Sequence, residues 1–162
     1  MARNVYFSFH YQRDIFRVQT VRNAWVCYPS NRHAGYFDHG LWEEAKTKGA
    51  AVIRKMIDEG MQQTGVTVVL IGAETASRQW VDYEIRRSIE LGKGLVGIRI
   101  NNIDSMGRGI DYAGVNPFNA YGPYSGNSLR TAYEVPIYDW VHDQGYRNFG
   151  AWVEAAAVRA GR

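Results

Sequence analysis

Cysteine is nearly absent. Cys27 stands alone in the chain, which excludes an internal disulfide framework and a cysteine-based zinc site. Flanked by Val26 and Tyr28, it reads as a small buried hydrophobe. Long apolar runs are missing too: no stretch reaches the roughly 20 residues that cross a bilayer. The start, Met1-Ala-Arg-Asn-Val-Tyr6, runs into a strand pattern with no signal peptide before it, so a cytoplasmic setting and no membrane partner are expected. Charge of one sign is not in large excess either. The net charge of +3 comes from scattered basic residues such as Arg13, Arg17, Arg22, Lys46 and Arg54, which is the pattern of an ordinary solvated surface and not of a nucleic-acid groove. Low-complexity tracts and internal repeats are absent, and 46% hydrophobic residues over 162 positions suit a single globular domain spanning 1–162.

Several chemical signatures are also missing. No Gly-x-Gly-x-x-Gly follows the first strand pattern and there is no Walker loop, so neither a Rossmann dinucleotide fold nor a P-loop NTPase is supported. There is no His-Glu-x-x-His, and His10, His33, His39 and His142 lack paired ligand spacing, so no metal and no bound cofactor are expected. No nucleophile-elbow pattern supports a serine triad. A receiver domain needs acids at the ends of strands one and three. Here those strands end in Ser8-Phe9 and in Gly72.

What is present is a strand and helix alternation repeated five times. Asn4–Phe9 is a run of β-formers, and Asp14 is placed to cap a helix bearing Ile15, Val18, Val21 and Trp25 that closes near Pro29. Gly35–Asp38 reads as a second strand. A helix carrying Ile53, Met56, Ile57 and Met61 then runs to Gly65, followed by a buried strand at Val66–Ile71. Gly94–Ile100 is a fourth strand and Val135–Trp140 a fifth, which Pro136 places at an edge. A last helix spans roughly Asn148–Ala160. The pattern predicts an α/β, flavodoxin-like three-layer sandwich with a five-stranded parallel sheet in the order 2-1-3-4-5. An irregular, glycine-rich insertion at about 101–135 interrupts it. Its aromatics Tyr112, Phe118, Tyr121, Tyr124 and Tyr133 suggest a lid over the carboxyl edge of the sheet.

The organising stretch is Ser77–Glu90. Ser77 is a plausible N-cap, and Trp80, Val81, Ile85, Ser88 and Ile89 recur at helical spacing. Glu84 lies on that same face, where a solvated helix has no use for a carboxylate. One reading makes it a rim acid paired with Arg87 or Arg78. The other makes it functional, because the preceding strand ends in Gly72 and ligands in open α/β sheets sit beyond the carboxyl ends of strands. Around it the strand ends supply Ser8, Phe9, His10, Tyr11, Asp38, Trp42 and Trp80. Most glycosidases need two carboxylates because the leaving alkoxide must be protonated. Nicotinamide departs from NAD+ as a neutral base, so one carboxylate facing an oxocarbenium-like centre is enough. Aromatic walls would grip the flat base.

The segments Val5-Tyr-Phe-Ser-Phe-His-Tyr-Gln12, Phe37-Asp38, Leu41-Trp-Glu-Glu-Ala45, Val69-Leu-Ile-Gly72, Trp80-Val-Asp-Tyr-Glu-Ile85 and Tyr138-Asp-Trp-Val141 carry a resemblance. Together they resemble the TIR-like domain of the Thoeris anti-phage defence sensor family. The resemblance implies a TIR-type sandwich and cleavage of NAD+, as substrate, at the nicotinamide–ribose bond. It implies that Glu84 is the catalytic glutamate, with a cyclic ADP-ribose isomer as the signal to a separate effector protein. The spacing from Ser8 to Asp14 is one residue longer than in eukaryotic TIR signalling domains, and the 101–135 insertion has no counterpart there. Two other readings stay open: a non-catalytic TIR-fold interaction module, and a nucleoside deoxyribosyltransferase-like N-glycoside enzyme. Whether the chain forms a homo-oligomer, what activates it and how any ring closes are also open.

Overall fold

The structure is a computed structural model and describes residues 3–26, 34–35, 45–121 and 134–162. Strands β1 (Val5–Ser8), β3 (Val66–Ile71), β4 (Gly94–Arg99) and β5 (Ile137–Asp139) form the body of a parallel sheet in the order β1-β3-β4-β5. Strand β2, Ala34–Gly35, adds two residue pairs outside β1. The second strand, expected at Gly35–Asp38, is described over Ala34–Gly35, one residue earlier at its start, and residues 36–38 lie outside the described residues. In the centre, Phe7 pairs with Val68 and Val68 with Val96. Both central strands are buried along their length, as continuous apolar runs in a parallel sheet should be.

Strand alternation divides the core in two. Val5 and Phe7 of β1, Val66, Val68 and Leu70 of β3, and Val96 and Ile98 of β4 face helices α1 (Tyr11–Val26) and α4 (Gly145–Arg159). The opposite face carries Tyr6, Val69, Ile71 and Leu95 toward α2 (Ala50–Met61) and α3 (Gln79–Glu90). This is a three-layer α/β sandwich. Met61 is fully buried in the second layer and Met56 partly so.

Three helix starts differ from expectation. α1 begins at Tyr11, with the Asp14 amide donating to the His10 carbonyl. Asp14 is thus inside the first turn and not at the cap. Its side chain is fully buried beside Gly72, where a Cβ would stand 2.1 Å from the Asp14 carboxylate. α3 is preceded by a 3-10 turn at Thr75–Ser77, so its N-cap is Arg78. Ser77 is not the cap because its hydroxyl donates to the Glu74 carbonyl. α4 starts three residues before Asn148, after Gln144 in a left-handed conformation.

The described part of the insertion, 101–121, is irregular but anchored. Arg17 donates to the carbonyls of Ile103 and Gly109, and Arg13 grips Asp111 with two hydrogen bonds of 2.8 and 3.0 Å. Phe118 and Tyr121 are buried against Val69, Ile71, Val81 and Ile85. Tyr121 also donates to the Asp82 carboxylate.

The face of β4 against α4 is tight. A Cβ on Gly94 would lie 2.7 Å from the carbonyl oxygen of Ala156, a backbone atom that moves only if the helix moves. Gly94→Ala should therefore lower stability by about 1–3 kcal/mol, the usual cost of overpacking. The check is a drop in the denaturant midpoint at unchanged m-value. An unchanged midpoint would mean that α4 is not seated as described.

Candidate active site

Beyond the carboxyl ends of β1 and β3 lies a cavity of about 400 Å3, lined in part by Phe9, His10, Tyr11, Trp80 and Glu84. Its walls come from the β1–α1 junction and the first turns of α3, the position that the parallel topology favours for a ligand. Glu84 forms the floor and is 6% exposed.

The placement of Glu84 follows from how α3 is docked. Ser88 lies one turn further on and donates its hydroxyl to the Glu84 carbonyl at 2.7 Å. Thr67 on β3 shares a 2.7 Å hydrogen bond with the same Ser88 hydroxyl. This chain of two hydroxyls ties the helix to the sheet at the level of the acid. The side chain leans toward the helix start and meets β1. Tyr6 donates to one carboxylate oxygen at 2.7 Å, and Ser8 donates to the other. Tyr6 and Ser8 are both fully buried.

The neighbouring arginines are engaged elsewhere. Arg87 bonds to Asp58 and Glu90, and Arg78 to Glu74. The rim ion pair weighed from the sequence is not formed. Burial pushes the Glu84 carboxyl up to about 7, and the hydrogen bonds from Ser8 and Tyr6 act in the opposite direction. The acid therefore sits between its two protonation states near neutral pH.

The mouth has the opposite character. Lys46 and Arg78 line it, with Gln12 and Gln79. Glu74 lies 3.1 Å from Arg78, 3.5 Å from Arg13 and 3.9 Å from His10. Burial lowers the pKa of His10, and the charge of Arg78 adds to the effect while Glu74 acts against it. A negative floor below a basic rim suits a ligand with a cationic head and an anionic tail.

Of the residues singled out from the sequence, Phe9, His10, Tyr11, Trp80 and Glu84 share the cavity. Ser8 lies behind Glu84 and reaches the site through it. Asp38 and Trp42 lie outside the described residues. Trp80 is half-buried and meets Tyr83 edge-on, with ring centroids 6.0 Å apart. The lid expectation does not hold for its described members. Phe118 and Tyr121 are core residues, and Tyr112 stands exposed with the Arg13 guanidinium 5.3 Å from its ring centre. Tyr124 and Tyr133 lie outside the described residues. Sequence reasoning missed Tyr6, although the signal was present: it stands two residues before Ser8, hence on the same face of β1.

The family described as "Thoeris protein ThsB, TIR-like domain" matches residues 6–105, a span holding β3, α3 and, from β1, both Tyr6 and Ser8. The chain belongs to the ThsB TIR-like family. It is also 38% identical, over 193 aligned positions covering 94% of this chain and all of the relative, to a Bacillus cereus (strain MSX-D12) protein named "Putative cyclic ADP-D-ribose synthase ThsB1". The family match includes the first residues of the insertion and stops at 105.

The raised pKa of Glu84 has a thermodynamic consequence. The folded chain holds this proton more tightly than the unfolded chain between the ordinary carboxyl value of 4.5 and about 7. Ionisation therefore costs stability, progressively as pH rises through that window and fully above it. Glu84→Gln removes this cost. Relative to wild type, the variant should gain about 2–3 kcal/mol between pH 4.5 and pH 8.5, at about 1.4 kcal/mol per pKa unit. Melting curves of both proteins at the two pH values give this difference. A gap that does not change with pH would place the carboxyl in an ordinary solvated environment.

Proposed function

We infer that this ThsB TIR-like chain is an NAD+-consuming enzyme of Thoeris anti-phage defence. It cleaves the nicotinamide–ribose bond and closes the remainder into a cyclic ADP-ribose isomer, the signal read by a separate effector protein. One observation carries the reading. Among the described residues a single carboxylate, Glu84, floors the cavity, with both oxygens held by hydroxyls and no cation on either of them. The activity in the name of the Bacillus cereus relative supports it.

The chemistry follows from charge. In NAD+ the nicotinamide ring is cationic, and the C–N bond breaks with its electron pair moving to the ring nitrogen, so nicotinamide leaves neutral and needs no acid. Positive charge then develops at the anomeric carbon. An ionised Glu84 stabilises that charge and accepts hydrogen bonds from the ribose hydroxyls. Attack by a nucleophilic atom of the same molecule gives a ring, whereas attack by water gives linear ADP-ribose. Phe9, Tyr11 and Trp80 provide flat apolar surface for the base. Lys46 and Arg78 stand at the mouth, where the diphosphate would lie. No helix among the described residues is long and apolar enough to cross a membrane.

Purified protein incubated with NAD+ and resolved by nucleotide chromatography should release nicotinamide and a cyclic product. Glu84→Gln should reduce turnover by about 10²–10³, the usual effect of removing one electrostatic stabiliser. Turnover within tenfold of wild type would return Glu84 to a structural role. A wild-type protein that leaves NAD+ untouched would favour the interaction-module reading.

Because the ionised acid is the active form, kcat/KM should rise with pH along a limb centred near 7. A bound cation favours the carboxylate, so the limb in kcat should lie at lower pH. Initial rates from pH 5 to 9 at limiting and saturating NAD+ measure both. A pH-independent kcat/KM would contradict the role given to Glu84.

A further inference from the structure

We propose that Tyr6 is a positioning residue for this reaction: with Ser8 it clamps the Glu84 carboxylate from the strand side and fixes the face it presents to the substrate. The inference rests on the NAD+-cleaving reading above and extends it to a residue that does not line the cavity. Tyr6 is fully buried, surrounded by Ala45, Ile53, Ile57 and Met61 of the second layer, and its hydroxyl lies 2.7 Å from one Glu84 oxygen. Ser8 takes the other oxygen from the same face of the same strand. Two donors at fixed strand spacing define the plane of the carboxylate, and the α3 backbone is pinned at the same level by Ser88 and Thr67. The acid therefore has little rotational freedom before any substrate arrives, and this preorganisation lowers the cost of meeting a developing charge.

A tyrosine suits the position for a second reason. Burial and the neighbouring Glu84 raise the phenol well above its ordinary range, so it remains an O–H donor at any working pH and never competes with Glu84 as a negative charge. The other titratable groups described near the site lie apart from the carboxylate. Lys46, His10 and Arg78 line the mouth. Across α2 and α3, Asp58 accepts hydrogen bonds from Tyr83 and Arg87. No hydrogen bond or ion pair recorded among the described residues joins these groups to the Glu84 carboxylate.

Tyr6→Phe keeps the ring in its apolar surroundings and removes the donor alone. The limb in kcat/KM should then move to higher pH by about half a unit to one unit, since a hydrogen bond that favours the carboxylate has been lost. KM should change less than kcat, because the residue does not touch the ligand. Ser8→Ala should shift the limb in the same direction, and the double variant should shift it further. A merely structural tyrosine would lower the melting temperature and leave the limb in place, and that result overturns the proposal. In parallel, the Glu84 carboxyl carbon is titrated by 13C NMR in wild type and in Tyr6→Phe without substrate. An upward shift in the variant supports the clamp, and equal titration midpoints overturn it. This second measurement needs no turnover, so failure of the clamp stays distinguishable from failure of the NAD+ reading.

Discussion

The constraint on which this site depends is the burial of one carboxylate against a β-strand. Removing Glu84 from water disfavours its charge, and among the described residues two hydroxyl donors, and no cation, offset that. A lysine or arginine at this depth would have stabilised the charge more strongly, but it would also have neutralised the field needed for a cationic substrate. Hydroxyls hold the geometry and leave the negative charge available. The acid remains close to its titration midpoint, where a modest interaction with a bound cation is enough to commit it to the ionised form.

The rest of the fold serves this arrangement at identifiable points. Parallel pairing of β1 with β3 places Tyr6 and Ser8 beside the strand from which α3 departs. The turn after β3 is compact because Thr75 accepts the Gly72 amide and Gly72 leaves room for Asp14. That turn sets where α3 begins, and the link from Ser88 to Thr67 sets its rotation. The positions along α3 divide accordingly: Val81 and Ile85 enter the core, Trp80 reaches the cavity wall, and Glu84 points back at β1.

Much of this was legible in the sequence, and the limits have physical causes. The sheet and its two helical layers follow from apolar periodicity, which is strong because the central strands are buried on both faces. The acid was visible as a carboxylate on an apolar helical face. Helix starts were read less well, since Ser77 and Asp14 have the chemistry of caps while their side chains are used elsewhere, one in a 3-10 turn and the other beneath Gly72. Tyr6 escaped notice because a tyrosine in a β-run looks like core, and its hydroxyl acquires meaning only when α3 is laid across it. The second strand begins one residue earlier than its β-forming run suggests, because the pairing with β1 already includes Ala34.

Over residues 101–121 the insertion packs in a way that its composition alone does not suggest. Its aromatics and glycines suggested a mobile cover, yet Phe118 and Tyr121 fill the core beside α3, and Gly114 packs so closely on the Gly72 carbonyl that a Cβ there would stand 2.1 Å away. Arg13 and Arg17 bind the same segment to α1 through Asp111 and two backbone carbonyls. A segment held by buried aromatics, a close backbone contact and paired arginines stabilises the β3–α3 turn from behind, and so supports the position of Glu84 indirectly. Ring closure over hydrolysis demands that water be kept from the anomeric carbon. Among the described residues, the groups placed to exclude it are Phe9, Tyr11 and Trp80 on the cavity wall, and none of them belongs to the insertion.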